Sequence, residues 1–127
     1  ISAFVPQRFC EALAAQPTET WALALAGLGG AFALVVLDPE RHELFLAVDR
    51  FAIENLYIVR DERGVAFANR SHTLAAHPAV DHRFSAQDLY ASLYFHWLPG
   101  PAGGYAGMER LLPGHCAHWR DGKLSIQ

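Results

Sequence analysis

The stretch that decides the fold reads AFALVVL over residues 31–37, DPER over 38–41 and ELFLAV over 43–48. Its first segment is continuously apolar and lies between glycine and Asp38-Pro39, which is typical of a strand covered on both faces. Proline at the second position of DPER favours a type I turn, so ELFLAV is expected to return as the second strand of a hairpin. The pattern therefore places residues 31–37 in the middle of a sheet.

Two further hairpins are expected along the chain. Residues 56–59 and 65–68 are apolar runs on either side of Asp-Glu-Arg-Gly, and residues 116–120 and 123–126 flank Asp121-Gly122. Both connections carry turn residues. Successive hairpins predict antiparallel sheets.

Helical signals occupy the remaining segments. Phe9 and Leu13 indicate a short helix ended by Pro17, and Thr18 is expected to cap a second helix that Gly27 ends. Ser71 is expected to cap a third, and Ser85 followed by Asp88 resembles the capping box of a fourth that runs to Pro99. The predicted class is α+β.

Composition limits the range of functions. The 127 residues are 52% apolar and 18% charged, which fits one compact domain or a piece of a larger one. A net charge of −3 without a basic run argues against nucleic acid, and glycines interrupt the longest apolar stretch, which argues against a membrane span. Two cysteines and the lack of a signal-peptide pattern favour the cytoplasm. Because the chain begins at Ile1, we expect it to be part of a longer polypeptide.

Three patterns invite a chemical interpretation and favour a structural one. The order helix, Gly27-Leu28-Gly29-Gly30, strand is the reverse of a phosphate-binding loop and indicates a helix end. The histidines do not match zinc-site spacing, so no metal site is predicted; those that prompt the question are His72, His77, His82, His115 and His118, the last two beside Cys116. Cys10 and Cys116 are possible nucleophiles but are predicted to be buried and structural.

Asp49-Arg50-Phe51, directly after the apolar strand, is of a different kind. A carboxylate and a guanidinium at the end of a buried strand are costly unless paired, so they fix a loop or line a site. We favour an ion pair that holds the crossover to Leu56-Tyr57.

These motifs together resemble a known family. Gly30-Ala31-Phe32-Ala33, residues 46–57, Phe67-Ala68, the helix from Ser85 and residues 109–115 occur in the order and at the intervals found in the glutamine-amidotransferase domain of glutamine-dependent asparagine synthetases. In that family the segments read Gly-x-Phe-Ala, Asp-Arg-x-Gly-x-x-Pro-Leu-Tyr, Phe-Ala-Ser-Glu and Leu-Pro-Pro-Gly-His. The resemblance extends from about Pro17 to the C-terminus.

The resemblance implies an Ntn-hydrolase-like fold of antiparallel sheets packed with helices. Residues 1–127 would be the C-terminal part of a class II (type 2-like) glutamine amidotransferase domain, with the synthetase domain absent. The parent enzyme would hydrolyse glutamine at an N-terminal cysteine, whose α-amino group is the base, and pass ammonia to a carboxylate activated with ATP. ATP and Mg would bind in the synthetase domain, and this chain would hold no cofactor.

The resemblance also bears on site residues and partners. The family's nucleophile is residue 1 of the mature chain, which is Ile1 here, so no catalytic residue is assigned, and substrate-binding residues are unknown. Asp49, Arg50, Leu56 and Tyr57 form an interdomain or structural motif. The partners that the resemblance implies are the remainder of the same polypeptide, glutamine in the parent, and a second copy in a homodimer.

Several positions depart from the family pattern. The glycine of Asp-Arg-x-Gly falls at Ala52 or Ile53, Asn55 replaces a proline, Asn69-Arg70 replaces Ser-Glu, and Leu112 replaces the first proline of Pro-Pro-Gly. Relatives that have lost glutamine hydrolysis keep the domain as a scaffold. The alternative function is therefore a non-catalytic scaffold domain of an ATP-dependent ligase of the β-lactam synthetase or lasso-peptide cyclase type.

Overall fold

The computed structural model describes residues 7–62, 64–78 and 80–127. The chain divides into two compact units, residues 1–30 and 31–127. The predicted turn residue Arg63 lies outside the described residues, as does the side chain of Cys10.

The first unit is helical. Helix α1 spans Gln7–Ala14, a 3-10 turn covers Thr18–Thr20, and α2 spans Trp21–Ala26. The prediction that Thr18 caps α2 is wrong, because Thr18 lies inside the 3-10 turn and the residue before α2, Thr20, makes no side-chain cap. The Thr20 hydroxyl instead donates to the Pro17 carbonyl at 2.7 Å. The predicted helix end is confirmed, since α2 stops directly before Gly27.

The described residues of the second unit form two antiparallel sheets and two helices. Its elements are β1 (Ala33–Asp38), β2 (Glu43–Val48), β3 (Tyr57–Asp61), β4 (Gly64–Ala68), α3 (Ser71–Ala75), α4 (Ala86–Phe95), β5 (Met108–Arg110), β6 (Cys116–Arg120) and β7 (Lys123–Ile126). The strand orders are β1-β2-β6-β7 and β4-β3-β5. The predicted α+β class and all three hairpins are confirmed.

The predicted central position of β1 is wrong. Within the described residues β1 pairs with β2 alone, whereas β2 lies between β1 and β6 and is buried at all six positions. Val35 and Leu37 of β1 are 37% and 68% exposed. A continuous apolar run indicates coverage of both faces, but it does not specify how many strands are neighbours.

The main core joins the two sheets. Leu44, Leu46, Val48 and Ala117 come from the four-stranded sheet, and Leu56, Ile58 and Leu111 come from the three-stranded sheet and its connections. A second cluster packs α3 onto the three-stranded sheet; it contains Val59, Leu74, Ala75, Val80 and Met108. Alternate residues of β2 therefore contribute one face to the inter-sheet core.

The two helices of this unit differ at their N-termini. Helix α3 begins at Ser71, but the residue before it is Arg70 and no side chain caps it, so the predicted Ser71 cap is wrong. The predicted cap of α4 is confirmed, because Ser85 Oγ accepts the Asp88 N–H at 3.2 Å. The Asp88 carboxylate does not complete a capping box; it accepts the N–H of Gly104 at 2.9 Å.

Across the described residues, every helix is too short or too polar to cross a lipid bilayer.

Candidate functional site

The loop that follows β2 is built around the carboxylate of Asp49. This side chain is 1% exposed and accepts four backbone N–H groups. Its Oδ1 accepts from Phe51 at 2.9 Å and from Ile53 at 3.3 Å, and its Oδ2 accepts from Phe32 and Glu54 at 3.2 Å each. One carboxylate thus fixes the backbone of the loop and ties it to the entry of β1.

The pKa of Asp49 reflects this environment. Burial raises the pKa, and the four amide hydrogen bonds lower it more strongly, so that the net pKa lies below its ordinary value. Amide donors that all point at the charged form explain how a carboxylate can stay ionised in the interior. The ionised Asp49 carboxylate therefore holds the loop in one conformation. We name the carboxylate and its four amide donors the Asp49 bracket.

Ala52 adopts an unusual backbone conformation within this loop. Its φ is 47°, in the left-handed region that favours glycine, and its N–H donates to the Asp49 carbonyl at 2.9 Å. The sequence left open whether Ala52 or Ile53 takes the position of the motif glycine. The structure assigns the left-handed residue to Ala52.

A second motif segment, residues 113–115, forms main-chain hydrogen bonds with this loop and with β2. The N–H of Gly114 donates to the Asp49 carbonyl at 2.9 Å, and the N–H of Val48 donates to the His115 carbonyl at 3.2 Å. Gly114 has a φ of 70°, and a Cβ there would lie 3.7 Å from Arg50 Cα. Main-chain hydrogen bonds therefore hold the loop against the segment Pro113-Gly114-His115.

The four predicted motif residues occupy different environments. Asp49 is buried, Arg50 is exposed, Leu56 is 3% exposed in the inter-sheet core, and Tyr57 begins β3 opposite Ala68 and Arg110. Four donors to the Asp49 carboxylate are backbone amides, so main-chain hydrogen bonds help to hold the start of the crossover. The expected ion pair of Arg50 stays a prediction. Side chains of Phe51 and Ile53 point away from this frame, at 77% and 62% exposure.

Comparison with known families identifies the domain. The family model described as the glutamine amidotransferase domain matches residues 3–127. The chain belongs to this family. No curated protein matches the chain.

In this glutamine amidotransferase domain, one of the two predicted cysteine candidates can be placed. Cys116 is 8% exposed, which confirms its predicted burial, and burial raises the pKa of its thiol and so favours the protonated form. The side chain of the second candidate, Cys10, is outside the described part of the chain.

The histidines do not converge on a metal site in the described residues, where no group of three or more metal-binding side chains occurs. His115 Nδ1 lies 3.0 Å from the Pro113 carbonyl oxygen, and His118 Nε2 lies 3.3 Å from Glu43 Oε2. Arg120 Nε is 3.2 Å from the other oxygen of Glu43. Sequence reasoning missed this cluster around a 4% exposed Glu43, because it depends on the register of β2 against β6.

Proposed function

We propose that this amidotransferase chain is the second half of the domain in an asparagine-synthetase-like enzyme. The parent would hydrolyse glutamine and transfer the ammonia to a carboxylate activated with ATP. In this proposal the chain supplies no nucleophile, and ATP and Mg bind in a synthetase domain outside it.

The observation that carries the proposal is the Asp49 bracket. The two segments that match the family motifs, 49–57 and 109–115, meet through the hydrogen bond from Gly114 to Asp49. Burying a carboxylate costs free energy, and this cost is offset only if every amide donor has good hydrogen-bond geometry. Such an arrangement is expected where the function of a loop requires a single conformation.

We assign the loop a positioning role. Phe51 and Ile53 are exposed, although their own backbone amides are fixed by Asp49. Exposed apolar side chains on a rigid backbone are suited to contact with another domain, since little conformational entropy is lost on docking. We propose that this loop faces the synthetase domain of the parent.

The full-length parent provides the test. Glutamate release and amide formation are measured together, first with glutamine and then with ammonium salt as the nitrogen source. For Phe51→Ser and Asp49→Asn we expect the glutamate released per amide formed to rise severalfold with glutamine, while ammonium-dependent synthesis is retained. The exposed turn variant Asp61→Asn is the control and should behave as the wild type.

Two outcomes contradict the proposal. If both loop variants keep the wild-type stability and the wild-type ratio of products, the loop does not couple the domains. If the purified 127-residue chain itself releases ammonia from glutamine, and Cys10→Ala abolishes that release, the chain carries its own nucleophile.

The scaffold alternative rests on a separate observation. Asn69 and Arg70 follow β4 at the positions where the family pattern has Ser-Glu, and both are exposed. Under this alternative, the parent would consume ATP and form its product without releasing glutamate. The same assay therefore distinguishes the two functions.

A further inference from the structure

A cleft of about 680 Å³ lies between two segments of the second unit, residues 83–88 and 101–109. The first segment contains the N-terminus of α4, and the second contains the start of β5. We name it the α4–β5 cleft. Small-molecule sites in proteins usually have volumes of about 300–1,000 Å³. The cleft is therefore large enough for a small ligand.

Hydrogen bonds between the two segments fix the walls of the cleft. The N–H of Ser85 donates to the Gly104 carbonyl at 3.1 Å, and the N–H of Ala106 donates to the Arg83 carbonyl at 2.9 Å. The Gly104 N–H in turn donates to the Asp88 carboxylate at 2.9 Å. Because the walls are already held in place, a ligand loses little free energy in ordering the protein.

The carboxylate of Asp88 has an open oxygen in this cleft. Its Oδ2 accepts the Gly104 N–H, and Ser85 Oγ accepts the Asp88 N–H at 3.2 Å, so both ends of the residue are held. Among the described residues, Asp88 Oδ1 has no hydrogen-bond partner. Asp88 is half-buried, and partial exclusion of water strengthens a hydrogen bond to an ionised oxygen. Oδ1 is therefore an oriented acceptor for a cationic donor.

The other charged side chains that line the cleft already have partners. Arg83 Nε donates to the two carboxylate oxygens of Asp81 at 3.0 and 2.8 Å, and Arg60 Nη2 lies 3.5 Å from Glu109 Oε1. The charge of the lining that is left uncompensated is the negative charge of Asp88. This charge favours a cationic ligand over an anionic one.

Aromatic and small apolar side chains complete the lining. Phe84 and Tyr105 lie opposite each other in an isolated antiparallel bridge, with ring centroids 5.1 Å apart and planes 24° apart. Phe84 is 66% exposed, so part of its ring is open to a ligand. The face of an aromatic ring attracts an ammonium group, and Ala102 and Ala106 offer apolar contact to a hydrocarbon group.

We propose that the α4–β5 cleft binds a small organic ammonium ion. The ammonium group donates to Asp88 Oδ1, and the hydrocarbon part lies against Phe84, Ala102 and Ala106. The proposal does not rest on the function proposed for the Asp49 loop, because the cleft shares no residue with that loop.

Isothermal titration calorimetry of the 127-residue chain with three matched probes tests the charge preference. Phenethylammonium, phenethyl alcohol and hydrocinnamate carry a cation, a neutral hydroxyl and a carboxylate on the same phenethyl group. We expect phenethylammonium to bind saturably and the other two to bind about tenfold more weakly, because they lack the charge-assisted hydrogen bond to Asp88.

Two variants locate the site. Asp88→Asn removes the charge and keeps an oxygen that can accept the Gly104 N–H, and we expect it to weaken phenethylammonium binding about tenfold. Ala86→Trp puts a bulky side chain at an exposed lining position and should abolish binding. Asp121→Asn removes the same charge from a turn side chain that is 86% exposed and should bind as the wild type. Circular dichroism shows that each variant keeps the fold.

A folded wild-type chain that does not bind phenethylammonium overturns the proposal, and so does binding that Asp88→Asn and Ala86→Trp leave unchanged. Equal or tighter binding of phenethyl alcohol or hydrocinnamate also contradicts it, because the cleft would then not select a cation. Chemical-shift changes on titration should map to residues 83–88 and 101–109. Changes confined to other residues would place the bound probe elsewhere and overturn the assignment.

Discussion

Asp49 contributes to stability through the amides that it satisfies more than through its charge. Each of the four N–H groups would lose its acceptor if the side chain were removed, and a buried donor without an acceptor costs about 1–3 kcal/mol. The loop can relax enough for some of these donors to reach water. The net cost is therefore smaller than four full penalties.

We expect Asp49→Ala to lower the free energy of unfolding by about 3 kcal/mol, as measured by urea denaturation. Asp49→Asn should be intermediate, because its one carbonyl oxygen replaces only part of the acceptor set. Ala52→Gly in the same loop is the control. It should raise the free energy of unfolding, because glycine adopts the left-handed φ of 47° without strain. Equal free energies of unfolding for Asp49→Ala and the wild type would show that the hydrogen bonds to Asp49 contribute no stability.

The lowered pKa of Asp49 also predicts a pH dependence. A carboxyl whose folded pKa lies below the ordinary value of 3.8 stabilises the fold fully above that value, and this stabilisation is lost as the pH falls through the lowered pKa. The wild type should therefore lose stability more steeply than Asp49→Asn as the pH falls below about 4.

Urea denaturation at a series of pH values measures this difference. Asp81, whose pKa its hydrogen bonds with Arg83 lower to about 2, titrates in the same direction in both proteins, so the comparison isolates Asp49. Parallel stability curves for the two proteins would contradict the assignment.

The position of Asp49 could be predicted from the sequence, but its partners could not. A carboxylate at the end of an apolar strand signals a fixed loop, and the structure has one. The nearest cation in sequence, Arg50, suggested an ion pair. Four donors to the Asp49 carboxylate are backbone amides, one of them from Phe32, 17 positions earlier, which only the folded chain brings close.

At the scale of elements, the hairpin of β1 and β2 shows what an apolar pattern leaves open. Both strands are equally apolar in sequence, yet one is fully buried and the other is partly exposed. The difference arises because β6 pairs with β2, and a pairing between strands so distant in sequence has no local signal. The hairpins were predicted correctly because each one depends on the turn residues between two strands that are adjacent in sequence.

The same substitution in the two strands should therefore have unequal effects. Leu46 is 0% exposed and Leu37 is 68% exposed, and we expect Leu46→Ala to cost about 3 kcal/mol and Leu37→Ala less than about 1 kcal/mol. Thermal and urea denaturation of the two variants measure the difference. Similar losses would mean that Leu37 is covered in solution.

Of the predicted N-terminal caps, only the one whose residue lies in extended backbone outside a turn or helix is correct. Ser85 lies in extended backbone and caps α4, whereas the Thr18 hydroxyl lies inside a turn that follows Pro17. The apolar spacing also predicted α4 itself, although the helix ends at Phe95 and not at Pro99, because His96 adopts a left-handed conformation. Which side of the helix faces the protein could not be read, because the periodicity is the same for an inward and an outward stripe.

For the whole molecule, the sequence and the structure agree on class, and the family model agrees on the amidotransferase domain. The α+β class followed from local hairpins and helices. The two-sheet arrangement depends on the long-range register of β2 with β6 and of β3 with β5. These pairings became visible only in the folded chain.

The placement of β6 beside β2 has a consequence for biosynthesis. Leu44 pairs with Trp119 and Ala47 with Cys116, so the inner neighbour of β2 emerges from the ribosome long after β2 itself. Until then, β2, which is apolar from Leu44 to Val48, has only its hairpin partner, and the nascent chain presents an open, aggregation-prone edge. Translation speed and chaperone supply over the intervening segment will therefore govern the yield of folded protein.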